Sequence, residues 1–232
     1  PLKQTGLQIA GAAKNQQEAE APAIFDLPNG TRVLVFALGS NTSGVPSAWS
    51  AGEDKPGVHL FDESSGTAIE RLRKLIDSYG QPDDLILVSI HWGPNWSYEI
   101  PWKQQNFAHA LIDDCGVHLV HGHSSHHVKG IEVYHNKLIL YGCGDLLTDY
   151  EGIEGYEMFR GDLGLLYFVT LDSKTGNLMN LDMQPTQMKR LQLKQASLAD
   201  RDWLAGVLNR EGRAWRTRVS ETDHNGLTLH WD

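Results

Sequence analysis

An α/β fold that passes into a mostly β tail is predicted by three features of this sequence. Two apolar runs, Leu85-Ile86-Leu87-Val88-Ser89-Ile90 and Val117 to Val120, read as buried strands, and each leads into a histidine with a glycine one or two residues on. Helical periodicity precedes the first run and separates it from the second. From Leu165 onward, short apolar runs are divided by turn signals such as Ser173-Lys174-Thr175-Gly176-Asn177.

The elements follow in order. Pro22 to Leu27 and Arg32 to Leu38 are expected strands, with Pro28-Asn29-Gly30 as their hairpin turn. Residues 40–65 form a long loop rich in Ser, Gly and Pro, a length often tied to function. Ala68 to Tyr79 is an amphipathic helix: Ile69, Leu72, Leu75 and Ile76 share a face, and Gly80 ends it. Asp84 to Ile90 is a strand. Pro101 takes the first position of the next helix, whose Phe107, Ala110 and Leu111 line one face up to Gly116. Val117 to Val120 is a strand, and Ile131 to Tyr134 pairs with Leu138 to Tyr141 around His135-Asn136-Lys137. Leu165 to Leu171, Asn177 to Met183 and Met188 to Leu193 are further strands. Asp200 to Glu211 is a helix with Leu204 and Leu208 inward; short strands follow near Thr217 to Val219 and Leu227 to His230. No repeat or domain boundary stands out, so residues 1–232 read as one domain, with 173–232 as a tail packed on it.

Composition excludes several partners. The formal charge is −9 without a Lys/Arg cluster, which argues against nucleic acid. No apolar stretch reaches the roughly 18 residues of a membrane span, and the start is not signal-like. The chain begins at Pro1 without methionine, so the compartment stays open: cytoplasm is favoured, and the outside follows if a signal or anchor lies upstream. Cys115 and Cys143 lack CxxC spacing and read as two free, partly buried thiols, with a disulfide or thiolate ligand as the alternative.

The chemistry gathers in Val120-His121-Gly122-His123-Ser124-Ser125-His126-His127, four histidines in eight residues. Imidazole is the commonest metal ligand near neutral pH. Gly122 is expected to turn the backbone sharply and aim His123 at an ion. His91 ends the earlier apolar run in the same way. The alternative for all three is a histidine hydrogen-bonded to backbone or serine. His127 is placed either in a direct catalytic role or behind the ligands with Ser124 and Ser125, orienting them. His109 reads as a surface or packing residue, His121 as structural, and Glu132 as a strand residue with a solvent or salt-bridge partner. Trp92, Asn95, Trp96, Tyr98 and Glu99 lie in one loop and form the substrate-binding candidate, a cleft wall for a polar polymer or sugar; a hydrophobic plug is the alternative. Ser40, Asn41, Thr42 and Ser43 are a second polar loop, suited to an anionic group.

A family resemblance enters on these residues. Ser89-Ile90-His91-Trp92-Gly93, Phe107-Ala108-His109-Ala110-Leu111-Ile112-Asp113, Gly122-His123-Ser124-Ser125-His126, Gly130-Ile131-Glu132-Val133-Tyr134 and Lys137-Leu138-Ile139-Leu140-Tyr141 resemble the CapA family in order and spacing. That family is named for capsule and poly-γ-glutamate synthesis and is related to calcineurin-like metallophosphoesterases. The resemblance covers about residues 6–172 and implies a metallophosphoesterase-like two-sheet sandwich flanked by helices. It implies His91, His123 and His126 as ligands of a dinuclear Zn, Mn or Fe centre. Gly144-Asp145 and Asp149 stand where Gly-Asn and a later Asp are usual, and Ser124-Ser125 where His-Pro is commoner. The family's early Gly-Asp-x-x-x-Gly-Arg strand end, its Glu and its Asn-His element have no counterpart here. The expectation is therefore an absent N-terminal third, with a naturally shortened member as the alternative.

Two metal ions need a bridging carboxylate, whereas three imidazoles hold at most one. Two functions survive. One is a metal-dependent hydrolase of phosphoester or γ-glutamyl linkages, complete in a longer parent. The other is a non-catalytic capsule or polyglutamate accessory protein. Partners are a small-molecule or polymer substrate, with self-association through exposed sheet edges as a further expectation.

Overall fold

The computed structural model describes residues 5–62, 65–148 and 153–232. It is a mixed α/β chain that divides into two compact units. The first holds residues up to Gly93, Ile100–His121 and Ser173–Gly176; the second holds Pro94–Glu99, Gly122–Asp172 and Asn177–Asp232. Most of the expected tail falls in the second unit, and its turn at Ser173–Gly176 in the first.

In the first unit the elements are β1 (Ala12–Ala13), α1 (Gln16–Glu20), β2 (Ala23–Asp26), β3 (Arg32–Ser40), β4 (Gly57–Val58), β5 (Leu60–Phe61), α2 (Ala68–Tyr79), β6 (Leu85–His91), α3 (Trp102–Asp113) and the start of β7 (Leu119–His123). The expected long loop at 40–65 thus carries two short strands. β1 pairs with β4, and β5 pairs with the end of β3. β2 and β3 form the predicted antiparallel hairpin. β3 and β6 are parallel, in register from Val33↔Leu85 to Gly39↔His91, and the main sheet runs β2-β3-β6-β7 here. Parallel strands are covered on both faces and read as continuous apolar runs, and Leu34, Phe36, Val88 and Ile90 are fully buried. On α2 the buried residues are Ala68, Leu72 and Ile76, and the Gly80 N–H caps the Ile76 carbonyl as its C-terminal position predicts.

Two expectations need correction here. Pro101 is the residue before α3, extended at ψ 142°, rather than its first helical residue. The apolar stripe of α3 is Phe107, Ala108, Leu111 and Ile112, with Gln104 at its head, so Ala110 lies off its centre.

In the second unit β7 ends and is followed by β8 (Ile131–Tyr134), β9 (Lys137–Leu140), β10 (Leu163–Leu171), β11 (Leu178–Lys189), β12 (Gln192–Gln195), α4 (Leu198–Glu211), β13 (Thr217–Glu221) and β14 (Leu227–Trp231). β8 and β9 are a hairpin whose turn residues His135 and Asn136 have φ 47° and 63°, the mirror-image turn that matches strand twist. A separate sheet runs β10-β11-β14-β13, with β12 also pairing β11. The expected strand Met188 to Leu193 is corrected: β11 runs on to Lys189, Arg190 and Leu191 turn with φ 53° each, and β12 begins at Gln192. Arginine and leucine carry no turn signal, so sequence pattern reads through them. Among the described residues no helix is long and apolar enough to cross a membrane, and both cysteines are free and buried.

Candidate functional site

In the first unit the site is the carboxyl end of the β3–β6 pair. His91 closes β6 opposite Gly39 and is half-buried. Side chains alternate along a strand, so Ser89 and His91 share a face, as do His121 and His123 on β7. Ser89 Oγ and His121 Nδ1 are hydrogen-bonded at 2.9 Å. Trp92 is 2% exposed. Its ring sits in the interior and offers no wall to a substrate, which corrects that expectation. Gly93 has φ 68° and donates its N–H to Thr42 Oγ1 at 3.1 Å.

The polar loop beyond β3 is a 3-10 turn, Asn41–Ser43. Ser40, fully buried, bonds Thr42 Oγ1 at 2.8 Å, and Ser43 Oγ donates to the Ser40 carbonyl at 2.7 Å. These hydroxyls hold the turn together rather than standing ready for an anion. Gln104, on the first turn of α3, is 4% exposed, and its Oε1 has no hydrogen-bond partner. A buried acceptor left unpaired costs about 1–3 kcal/mol. A Cβ added at Gly93 would lie 3.5 Å from both Oε1 and Nε2 of Gln104. The amide is therefore packed against the residue two positions beyond His91.

In the second unit the site is the loop after β7. His121, Gly122 and His123 all belong to β7, and Gly122 has no positive φ. The turn falls two residues later than expected, at Ser124, with φ 122°. The loop is tied down by backbone bonds: His126 N–H to the Asn95 carbonyl at 3.1 Å, Lys129 N–H to Gly142 at 2.9 Å and Cys143 N–H to Gly122 at 3.1 Å. Ser125 Oγ donates to the His127 carbonyl at 2.9 Å. His126 is half-buried, and its Nδ1 lies 2.8 Å from Asp145 Oδ2. A carboxylate on one ring nitrogen fixes the ring and turns the other toward a ligand position, the usual arrangement behind a metal-binding imidazole. The aspartate that departs from the family's usual asparagine is thus the histidine's partner. Asp149 lies outside the described residues.

His127 is different. It is 1% exposed, its Nδ1 bonds the Val128 carbonyl at 3.0 Å, and its Nε2 accepts the Ser97 N–H at 3.3 Å. Burial pushes its pKa down to about 4. Both ring nitrogens serve the backbone, so the expected catalytic role is corrected to a packing one. Lys129 is also buried, donates to the Glu99 carbonyl at 2.9 Å and is pushed down to about 8 by burial.

The aromatic loop separates into roles. Asn95 and Glu99 are exposed. Trp96 is half-buried, stacked on Tyr156 at 4.5 Å between ring centres and 5.2 Å from the His126 ring. Tyr98 packs edge-on to His127 at 4.7 Å and carries the Arg210 guanidinium 4.6 Å above its ring. Phe159 closes the cluster, 5.6 Å from Trp96 and 4.6 Å from His127. Sequence reasoning did not find Tyr156, Phe159 or Gln104. The first two lie some sixty residues from Trp96, and Gln104 carries a signal only as a polar residue heading an apolar helical stripe.

As a metal centre the fit is partial. Among the described residues, no group of three or more His, Cys, Asp or Glu is gathered closely enough to hold an ion. His123, and His126 with its carboxylate partner, have the chemistry of ligands, and His91 is carried as one by the resemblance alone.

The chain matches the bacterial capsule synthesis protein PGA_cap family over residues 1–150 and belongs to that family. It is 41% identical, over 98% of its own length, to the "Probable polyglutamine synthesis accessory protein" of Mycobacterium tuberculosis, and it spans 60% of that relative. It is 25% identical to the "PGA biosynthesis protein CapA" of Bacillus subtilis, over 83% of this chain and 48% of the relative. A looser likeness is to a solved structure described as a novel phosphatase of Mycoplasma pneumoniae. There the identity is 12% and the TM-score 0.45, with 72% of this chain and 57% of that one covered.

Proposed function

We propose that this chain is part of a capsule or poly-γ-glutamate synthesis accessory protein, and that the loop Gly122–His126 is a partial site for one divalent ion such as Zn, Mn or Fe. Family membership supports the first statement, together with the likeness to a polyglutamine synthesis accessory protein and to the PGA biosynthesis protein CapA. The observation that supports the second is the Asp145–His126 pair at 2.8 Å, since metal-binding imidazoles are commonly oriented by a carboxylate in this way. His123, in the same unit, is the second ligand in this reading.

The second reading is a metal-dependent hydrolase of phosphoester or γ-glutamyl linkages, favoured by the same histidine–carboxylate pair. When bound, an ion would supply an activated water. This chain's residues would hold it: Asp145 fixes the His126 ring, and Trp96, with Tyr156, offers a flat face beside it. Turnover of a phosphodiester or of poly-γ-glutamate, lost with chelator and with His123→Ala, decides for the hydrolase. Absence of turnover on both substrates decides for the accessory role. Metal binding that survives His123→Ala together with His126→Ala would remove the ion from both readings.

A further inference from the structure

We propose that a cleft between α1 and α2, in the first unit, binds a primary alkylammonium group, with Glu20, Gln16 and His59 as its hydrogen-bond acceptors.

Two adjoining hollows make the cleft. The larger, of about 520 Å³, is lined by Gln16 and Glu20 of α1, by Glu53, and by Leu75 and Tyr79 of α2. Small-molecule sites run to roughly 300–1,000 Å³, so it is large enough for a ligand. The smaller, of about 120 Å³, shares Gln16 and Glu20 with it and adds His59 and Arg71. All of these residues belong to the first unit.

Three acceptors are left over here. Glu20 takes hydrogen bonds from the Arg71 guanidinium and, at 2.8 Å, from Gln16 Nε2, and both fall on Oε1. Among the described residues no hydrogen bond reaches Glu20 Oε2 or the amide oxygen of Gln16. His59 is 5% exposed, and its Nδ1 has no partner. The ring bonds the Ala37 carbonyl, and burial pushes its pKa down to about 4. It is therefore neutral at pH 7, with its proton on Nε2 and a lone pair on Nδ1. Buried polar groups are almost always satisfied, so an unpaired nitrogen on a ring that lines a hollow points to a donor arriving through it.

These groups select the ligand. A phosphate or carboxylate presents acceptors alone and finds no donor that is not already bonded to Glu20. An ammonium group is the complement: three N–H donors, no acceptor and one compact charge. Glu20 and Glu53 against Arg71 leave one negative charge lining the two hollows, and a monocation balances it. A divalent ion would put surplus positive charge beside Arg71, on the same carboxylate. Leu75 and Tyr79 offer an apolar wall to the methylene stem that carries the ammonium. A free aliphatic diamine and the side chain of a lysine share this chemistry.

The experiment is an NMR titration of the isotope-labelled 232-residue chain at about 20 mM salt, where charge is weakly screened. The probes are cadaverine, Nα-acetyl-lysine methylamide, n-pentanol and zinc chloride. Both amines are expected to shift the backbone signals of Gln16, Glu20, His59 and Leu75, and pentanol to bind at least about tenfold more weakly. A tighter lysine amide assigns the cleft to a peptide and a tighter cadaverine to a free diamine; both orders support the ammonium site. Glu20→Gln is expected to weaken the amines about tenfold or more, and His59→Phe about three- to tenfold. Glu53→Gln, at an exposed position, is expected to weaken them about threefold at an unchanged melting temperature, and it decides if the buried variants fail to fold. Pentanol binding as well as the amines, or unchanged amine affinity in Glu53→Gln together with any folded Glu20 variant, overturns the proposal. Zinc that shifts the same signals and displaces the amines reassigns the cleft to a metal and overturns it too. No shift with either amine means that the hollows hold water only, which ends it.

Discussion

Two buried histidines are expected to lower the stability of this protein in acid. His59 in the first unit and His127 in the second are both pushed down to about 4 by burial. In the unfolded chain an imidazole takes its ordinary value near 6.5. As pH falls below about 6.5 the unfolded state binds protons that the native state refuses, so the stabilisation is complete above that value and is lost on the way to about 4. Melting temperatures from pH 8 to pH 4 are expected to fall mainly within that window, and His59→Gln to flatten the slope; an unchanged slope in the variant would contradict this. A second residue-scale prediction concerns Asp145. If it orients His126, Asp145→Asn weakens zinc binding about 10- to 100-fold while far-ultraviolet circular dichroism stays the same. Equal affinity in the two proteins would mean that the 2.8 Å pair serves the fold alone.

At the scale of elements, the histidine loop turns on a serine where the backbone favours glycine. Ser124 has φ 122°. Ser124→Gly is expected to be more stable than Ser124→Ala by about 1–2 kcal/mol, since both lose the hydroxyl and glycine alone loses the strain. Chemical denaturation of the pair measures it, and an alanine variant as stable as the glycine one would contradict it. The second element is the 3-10 turn Glu157–Phe159, which brings Phe159 against Trp96. It ends at Arg160, with φ 50°, whose guanidinium bonds Asp162 at 2.7 and 2.9 Å and Asp200 at 2.8 Å. Arg160→Ala is expected to cost about 1–2 kcal/mol, because the bonds are charge-assisted but partly exposed. It should also weaken the near-ultraviolet dichroism of the aromatic cluster, and an unaltered spectrum would show that the cluster holds without the arginine.

On the whole-molecule scale, the chain passes between its two units at residues 93/94, 99/100, 121/122, 172/173 and 176/177, so neither unit is a continuous segment. Its metal chemistry follows from what is gathered: no cluster of three or more ligand side chains among the described residues. This 232-residue chain is expected to bind one divalent transition ion weakly and to show little hydrolase turnover. Imidazole ligands bring no charge to offset a second cation. Affinity should drop in acid, because imidazole binds metal only when deprotonated. Two tightly bound ions in a calorimetric titration would overturn this and show that carboxylates complete the centre.

The sequence by itself determined the elements whose signal is local. The α2 helix stands at Ala68–Tyr79 as its periodicity and Gly80 predict, and the β2–β3 and β8–β9 hairpins lie where their strands and turn residues place them. Family membership was legible in the strand-end motifs for a similar reason, since short segments in fixed order survive without knowledge of their contacts. What the sequence could not carry was pairing across distance and the sign of exposure. Trp92 and Trp96 look alike in a loop between strand and helix, yet one is buried in the first unit and the other stacks on Tyr156 in the second. His126 and His127 are adjacent histidines, and tertiary structure alone gave one a carboxylate partner and spent both nitrogens of the other on backbone. Gln104 shows the same limit: composition names an amide, and only packing leaves its oxygen buried without a partner. Local propensity is written in neighbours along the chain, whereas desolvation and hydrogen-bond partners are fixed by residues that the fold brings from elsewhere.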